Sequence, residues 1–183
     1  MTTETTMPNP CAIAQLGASV LRQQAGPVDD IHAPFIQETI AAMQATLAGS
    51  QGVGLAAPQI SVSKRIIIVA SRPTARYPDA PLMEPVVMIN PSYAPCSNAK
   101  AKDWEGCLSI PSIRALVPRY QAIDVTYTSQ QGEPVSQHFE GFVARVFQHE
   151  FDHLEGMVYL DRVETNRDIV SEGEYFRLQN LSA

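Results

Sequence analysis

Gln148-His149-Glu150-Phe151-Asp152-His153 sits inside Gly141–Glu155, a stretch whose apolar spacing is helical and which Gly156 ends. Four residues of helix turn through about 400°, so His149 and His153 stand one above the other on one face. Phe142, Val146, His149 and His153 fall at i, i+4, i+7 and i+11. The histidines therefore continue an apolar stripe and point inward. Two imidazoles so placed can share one metal ion, with Glu150 near enough to reach a water beside that ion without being a ligand. The plain alternative is a pair of satisfied core histidines. A buried Glu150 without a partner would then be costly, whereas a cation explains it. Such a site wants a third protein ligand. No histidine follows His153. The third donor is either a downstream carboxylate, Glu172 or Glu174, or an upstream thiolate, for which Cys107 is the best placed of the three cysteines.

Two segments upstream have chemistry of their own. Cys107 stands in Trp104-Glu105-Gly106-Cys107-Leu108-Ser109-Ile110-Pro111. Gly106 allows a close backbone approach and Pro111 stiffens the exit, so Cys107 is held as a ligand would be. A buried inert thiol is the competing assignment. Cys11 and Cys96 lie in irregular, proline-flanked stretches and are taken as bystanders. Gln51-Gly52-Val53-Gly54-Leu55-Ala56-Ala57-Pro58-Gln59-Ile60 is small and glycine-rich. Its backbone can lie against an extended ligand, and the Gln59 amide can donate to an oxyanion. The segment has neither Gly-Lys-Ser/Thr nor Gly-x-Gly-x-x-Gly, so it is a poor nucleotide loop.

Around these motifs the spacing predicts a helix over Pro34–Ala48, with Ile36, Ile40, Met43 and Leu47 on one stripe and Pro34 at its first position. Ile66–Ala70 and Val86–Asn90 read as buried strands, and the four prolines of Ser71–Pro85 mark an exposed loop. Ile123, Val125 and Tyr127 alternate with polar residues, and Val135–Glu140 returns across a turn, which predicts a hairpin. The expected class is α+β, with short mixed or antiparallel sheets packed around a central helix carrying His-Glu-x-x-His. A disordered leader is expected over 1–10 and a single catalytic domain over 11–183.

Composition narrows the possibilities. Of the 183 residues, 13 are Lys or Arg and 19 are Asp or Glu, and the net charge of −6 disfavours dedicated nucleic-acid binding. A membrane span needs about 20 apolar residues in a row, and the apolar runs here are short. The amino-terminal stretch has neither the basic nor the apolar region of a secretory signal. A cytoplasmic location without membrane attachment is expected. Three cysteines make no disulfide framework.

Taken together, the three segments resemble the peptide deformylase family, which carries Gly-x-Gly-Leu-Ala-Ala-x-Gln, Glu-Gly-Cys-Leu-Ser and His-Glu-x-Asp-His in that order. Here they are Gly52–Gln59, Glu105–Ser109 and His149–His153, all complete. The resemblance runs from about Ile13 to about Leu160. It implies hydrolysis of the formyl group from N-formylmethionyl nascent polypeptides during protein biosynthesis, with release of formate. It implies Cys107, His149 and His153 as ligands of one divalent ion: Fe(II) in the cell, with zinc, nickel or cobalt able to replace it.

Glu150 would then be the proton carrier, with the Gln59 amide and the Leu108 N–H stabilising the oxyanion. Val53, Val143 and Val146 match pocket positions for the methionine side chain, Gly54 and Gly106 match backbone contacts to the peptide, and Arg114 lies near the pocket mouth. The family reading also implies a monomer that meets nascent chains transiently at the ribosome. Ser112 departs from members carrying glutamate there. Arg145 replaces an apolar residue on the catalytic helix and is expected on its outer face. The tail Asp161–Ala183 is short and weakly patterned. Two rivals stand beside this assignment. One is a zinc endopeptidase that uses Glu172 or Glu174 as third ligand. The other is a catalytically dead binding module, which would have lost a ligand or Glu150.

Overall fold

The computed structural model describes residues 10–74 and 77–180. Most of the expected leader, residues 1–9, lies outside the described residues. The first helix, α1, runs Pro34–Ala48 as the spacing predicts. Ile36, Ile40, Met43 and Leu47 are all buried, and the Gly49 N–H turns back to Ala45 and Leu47 carbonyls. Thr39 and Thr46 are also buried there, which helix interiors tolerate because their hydroxyls donate to the Phe35 and Ala42 carbonyls at 2.7 Å.

Among the described residues, eight strands follow in two sheets. β1 (Gly54–Ala56), β2 (Ile66–Ser71), β3 (Met83–Pro95), β6 (Ala122–Thr128) and β7 (Pro134–Glu140) form a five-stranded sheet in the order β1-β2-β3-β6-β7. β4 (Lys100–Cys107), β5 (Ile110–Tyr120) and β8 (Ile169–Ser171) form the second, in the order β4-β5-β8. Every strand-to-strand pairing is antiparallel, so no mixed sheet is present among the described residues. β2 is buried at all six positions, which is why it reads as an unbroken apolar run. β3 is longer than the expected Val86–Asn90, because beyond that stretch exposed and part-buried positions are mixed and leave no clean apolar run. β6 and β7 form the expected hairpin, with Ile123 opposite Phe139 and both buried.

α2 spans Gly141–Leu154 and carries the two histidines. It packs against β1 and β2 on one side and β5 on the other. Phe147 lies at the centre of its buried face, fully enclosed, with Tyr93, Phe139 and Phe151 rings at 5.7, 6.2 and 6.0 Å. Gln148 ties the helix to the end of β5: its amide donates to the Tyr120 carbonyl at 2.9 Å and accepts from the Tyr120 N–H at 3.0 Å.

The tail is more ordered than its pattern suggests. Single-turn 3-10 helices at Tyr159–Arg162 and Asn166–Asp168 lead into β8, then into α3 (Glu172–Asn180). β8 adds to the open edge of β5, with Arg114 opposite Val170. Of α3 only Tyr175 is buried, its ring edge-on to Trp104 at 5.4 Å, so the helix has almost no apolar period to detect. No helix among the described residues is long and apolar enough to cross a membrane.

Phe147→Ala opens a cavity at the junction of α2 and the five-stranded sheet. Unfolding in urea should show a loss of about 3–5 kcal/mol. A loss below about 1 kcal/mol would mean that the core collapses around the site or draws its stability elsewhere.

Candidate active site and metal centre

Cys107 lies at the tip of a hairpin. It pairs with Ile110, leaving Leu108 and Ser109 as a two-residue turn, and the β4–β5 register breaks between Glu105 and Cys107. That break aims the sulfur at α2. Cys107 Sγ lies 3.4 Å from His153 Nε2, and the donor atoms of Cys107, His149 and His153 all fall within 4.8 Å of one another. All three residues are buried. One thiolate and two imidazole nitrogens in this arrangement form a donor set that suits a tetrahedral zinc-class or ferrous ion with one open position.

The electrostatics favour that use. Burial alone would raise the Cys107 thiol, but the imidazoles of His153 and His149 outweigh it and hold the group well below the ordinary thiol range. Burial alone would likewise lower His149, and the neighbouring Cys107 and Glu105 reverse that. His149 Nδ1 lies 2.9 Å from Glu105 Oε2. With Nδ1 so engaged, Nε2 is left for an ion.

Glu105 is the hub of a buried charge network. Its carboxylate accepts from Arg119 Nε and Nη2 at 2.9 and 3.0 Å and from Arg145 Nη1 at 2.8 Å. Arg119 continues to Asp152 at 2.5 Å, and Asp152 accepts from Arg162 at 2.7 Å. Against burial, which would raise it, Arg119 and His149 hold the Glu105 carboxyl well below the usual carboxylate range. Arg145 does not face outward, as expected for an added charge on a helix. It stands one turn before His149 on the same face, is buried, and also donates to the Val117 and Ala101 carbonyls at 2.8 and 2.7 Å.

Glu105, Cys107, Arg145 and His149 border a cleft of about 660 Å³. Val53, Gly54, Gln59, Gly106, Leu108, Arg114 and Val146 line it, together with Cys107, His149 and Glu150. Val143 is not in the lining: it is buried in the core beneath. His153 is fully enclosed below the cleft floor.

Glu150 is buried, and one of its oxygens, Oε2, has no hydrogen-bond partner. Burial pushes its carboxyl up to about 7. The Gly54 backbone runs directly under it: a Cβ on Gly54 would stand 2.3 Å from Glu150 Oε1. Gly106 is under the same constraint, since a Cβ there would overlap the Arg114 guanidinium. Gln59 is held from both ends. Its Oε1 accepts from the Ala56 N–H at 2.8 Å, which turns its NH₂ toward Ser109 Oγ at 3.2 Å and Cys107 Sγ at 3.5 Å.

The cleft also has walls that the motifs do not announce. Tyr77, from the loop after β2, packs its ring tilted against Phe142 at 4.6 Å and donates its hydroxyl to the Trp104 carbonyl at 2.9 Å. Glu172 and Phe176 of α3 form the far side. Glu172 takes the Arg114 guanidinium as an ion-pair partner and is not in the thiolate–imidazole cluster. The downstream carboxylate considered as third donor therefore has other work. Glu174 pairs with Arg177 on the exposed side of α3.

The chain matches the family model described as polypeptide deformylase over residues 10–168. It is 52% identical over 166 residues to the peptide deformylase 2 of Nostoc sp., spanning 91% of this chain and 93% of that one. Its fold is similar to the crystal structure of a class I type b peptide deformylase from Acinetobacter baumannii bound to Met-Ala-Ser, with a TM-score of 0.81 and 44% identity over 84% of this chain and 98% of that one. It is likewise similar to the peptide deformylase of Thermotoga maritima, with a TM-score of 0.76 and 36% identity over 86% and 100% of the two chains. A match across most of the chain, the agreement in fold and the thiolate–imidazole cluster beneath the cleft lead to one assignment: this chain belongs to the polypeptide deformylase family.

Proposed function

We propose that this cleft hydrolyses the formyl group from the amino terminus of N-formylmethionyl polypeptides, releasing formate and a free amine. The observation that carries the proposal is the convergence of Cys107, His149 and His153 under a cleft whose one partnerless buried carboxylate oxygen belongs to Glu150. The family is metal-dependent, and Cys107, His149 and His153 are the residues that would hold the ion here. When bound, such an ion supplies an acidified water and a positive charge beside the formyl oxygen. We assign Fe(II) as the physiological metal, because a thiolate with two imidazoles suits a soft-leaning divalent ion. Zinc, nickel and cobalt fit the same donors. A monomer working in the cytoplasm on chains emerging from the ribosome completes the proposal.

The protein groups divide the remaining work. Glu150 accepts the proton of the attacking water and delivers it to the leaving amine. The Gln59 NH₂, preset by Ala56, and the Leu108 N–H face the oxygen on which charge develops. Losing one such donor typically costs ~2.7–4 kcal/mol of barrier. β1 pairs on one side only, so its outer edge can take an extended peptide by strand addition, with Gly54 supplying backbone groups. Val53 and Val146 give the methionine side chain an apolar surface. The Met-Ala-Ser bound to the Acinetobacter relative supports a substrate of this kind.

The direct test is release of formate from formyl-Met-Ala-Ser, with acetyl-Met-Ala-Ser unchanged beside it. Activity on both, or on neither with metal present, would sink the assignment. Glu150→Gln should keep its metal and lose turnover by at least about a hundredfold, the lower end of what a general base contributes. A rate within about tenfold of wild type would remove Glu150 from the proton-carrying role.

Cys107→Ala should neither retain tight metal nor release formate, whereas Glu174→Ala should do both as wild type does. Metal analysis after gel filtration settles which side of the cleft supplies the third ligand.

Glu105→Gln separates structural support from ligand tuning. Metal affinity, read by competition with a chelator, should fall about 10–100-fold because His149 loses the anionic partner on its second nitrogen. Wild-type affinity in a folded Glu105→Gln protein would restrict Glu105 to neutralising the two arginines.

A further inference from the structure

Away from the cleft, three donor atoms of different kinds meet on an exposed face of the five-stranded sheet. Asp124 on β6 and His138 on β7 are directly opposed in the ladder. Cys96 follows β3, and its N–H donates to the Ala122 carbonyl at 3.0 Å, which extends the β3–β6 pairing by one residue. Ala94 is opposite Asp124, and residues two apart share a face, so Cys96 lies on the side of Asp124. Three adjacent strands thus present a thiol, a carboxylate and an imidazole side by side.

The distances show convergence on one point. Cys96 Sγ lies 3.8 Å from His138 Nδ1, and the same nitrogen lies 2.8 Å from Asp124 Oδ1. All three donor atoms fall within 4.8 Å of one another. A nucleophilic relay would place thiol and carboxylate on opposite nitrogens of the ring. Here both address Nδ1, as ligands around a shared ion do. With zinc–sulfur near 2.3 Å and zinc–nitrogen near 2.0 Å, tetrahedral geometry separates sulfur and nitrogen by about 3.5 Å. The sulfur and nitrogen therefore already stand near that spacing. The imidazole–carboxylate pair must open slightly, which two exposed side chains on paired strands can do by rotation.

We propose that Cys96, Asp124 and His138 form a second cation site, for a zinc-class divalent ion with solvent as fourth ligand. The site is separate from the catalytic one, since none of its three residues lines the cleft. Binding displaces the thiol proton and any proton on Nδ1 to solvent, and the sulfur, nitrogen and carboxylate oxygen each donate a pair to the ion. Crowding by neighbouring groups, and then the Asp124 carboxylate, raise the Cys96 thiol. The consequence of the site is mechanical: a bound ion joins the end of β3 to β6 and to β7, the open edge of the sheet.

The test uses enzyme already loaded with nickel, titrated with zinc chloride against a chromophoric zinc chelator, with total metal analysis of both elements. Wild type should take up one zinc beyond its nickel and keep its rate of formate release. Zinc should also protect Cys96 from iodoacetamide, as located by peptide mass mapping. Cys96→Ser and His138→Ala should each weaken the added zinc by about tenfold or more while releasing formate at the wild-type rate. Zinc that replaces nickel instead of adding to it, no zinc uptake, or equal uptake in both variants would overturn the site.

Discussion

A carboxylate sealed from water must be neutralised where it stands, and Glu105 meets this requirement with three partners at once. Arg119 grips both of its oxygens, Arg145 adds a second guanidinium, and His149 completes the set. These contacts join β4, β5 and α2, so the charge balance of one side chain positions the sheet that carries Cys107 against the helix that carries the histidines. The same network extends through Asp152 to Arg162, which ties the start of the tail to the helix. Removing one member of such a network leaves an uncompensated buried charge, at a cost of about 3–5 kcal/mol. The geometry of the thiolate–imidazole cluster and the stability of this region therefore rest on the same interaction.

The cleft shows a second constraint, that of space. Backbone at Gly54 and at Gly106 lies so close to Glu150 and Arg114 that any side chain would collide. The glycines let an edge strand and a hairpin close on a helix around the cleft. Glu172 and Phe176 then bound the cleft from the tail. Residues late in the chain thus share the cleft with the motifs without belonging to them.

Much of this was legible before folding. The stripes of α1 and α2, the buried run of β2 and the alternating β6–β7 hairpin all follow from periodicity, because each element buries one face or both. The grouping of Cys107, His149 and His153 into one buried cluster was legible from the joined motifs. Arg145 was misjudged because a charged residue on a helix reads as exposed. It is buried because Glu105, 40 residues earlier, supplies the counter-charge. Val143 matched a pocket position, yet it packs into the core below the cleft. Beyond its buried centre β3 mixes exposed with part-buried positions, and the first half of β4 is mostly exposed, so neither has a clean apolar signature.

By itself the sequence determined that His149 and His153 share one face with Glu150 beside them, since the helical repeat alone fixes that placement. Local spacing could not decide between a thiolate and a carboxylate as third ligand, because that choice depends on contacts between distant segments. The tertiary structure brought Cys107 to the histidines and gave Glu172 to Arg114. It also gathered Cys96, Asp124 and His138 from three strands onto one face. Strand register has no trace in composition or motif: it is fixed by which faces of neighbouring strands must be buried together.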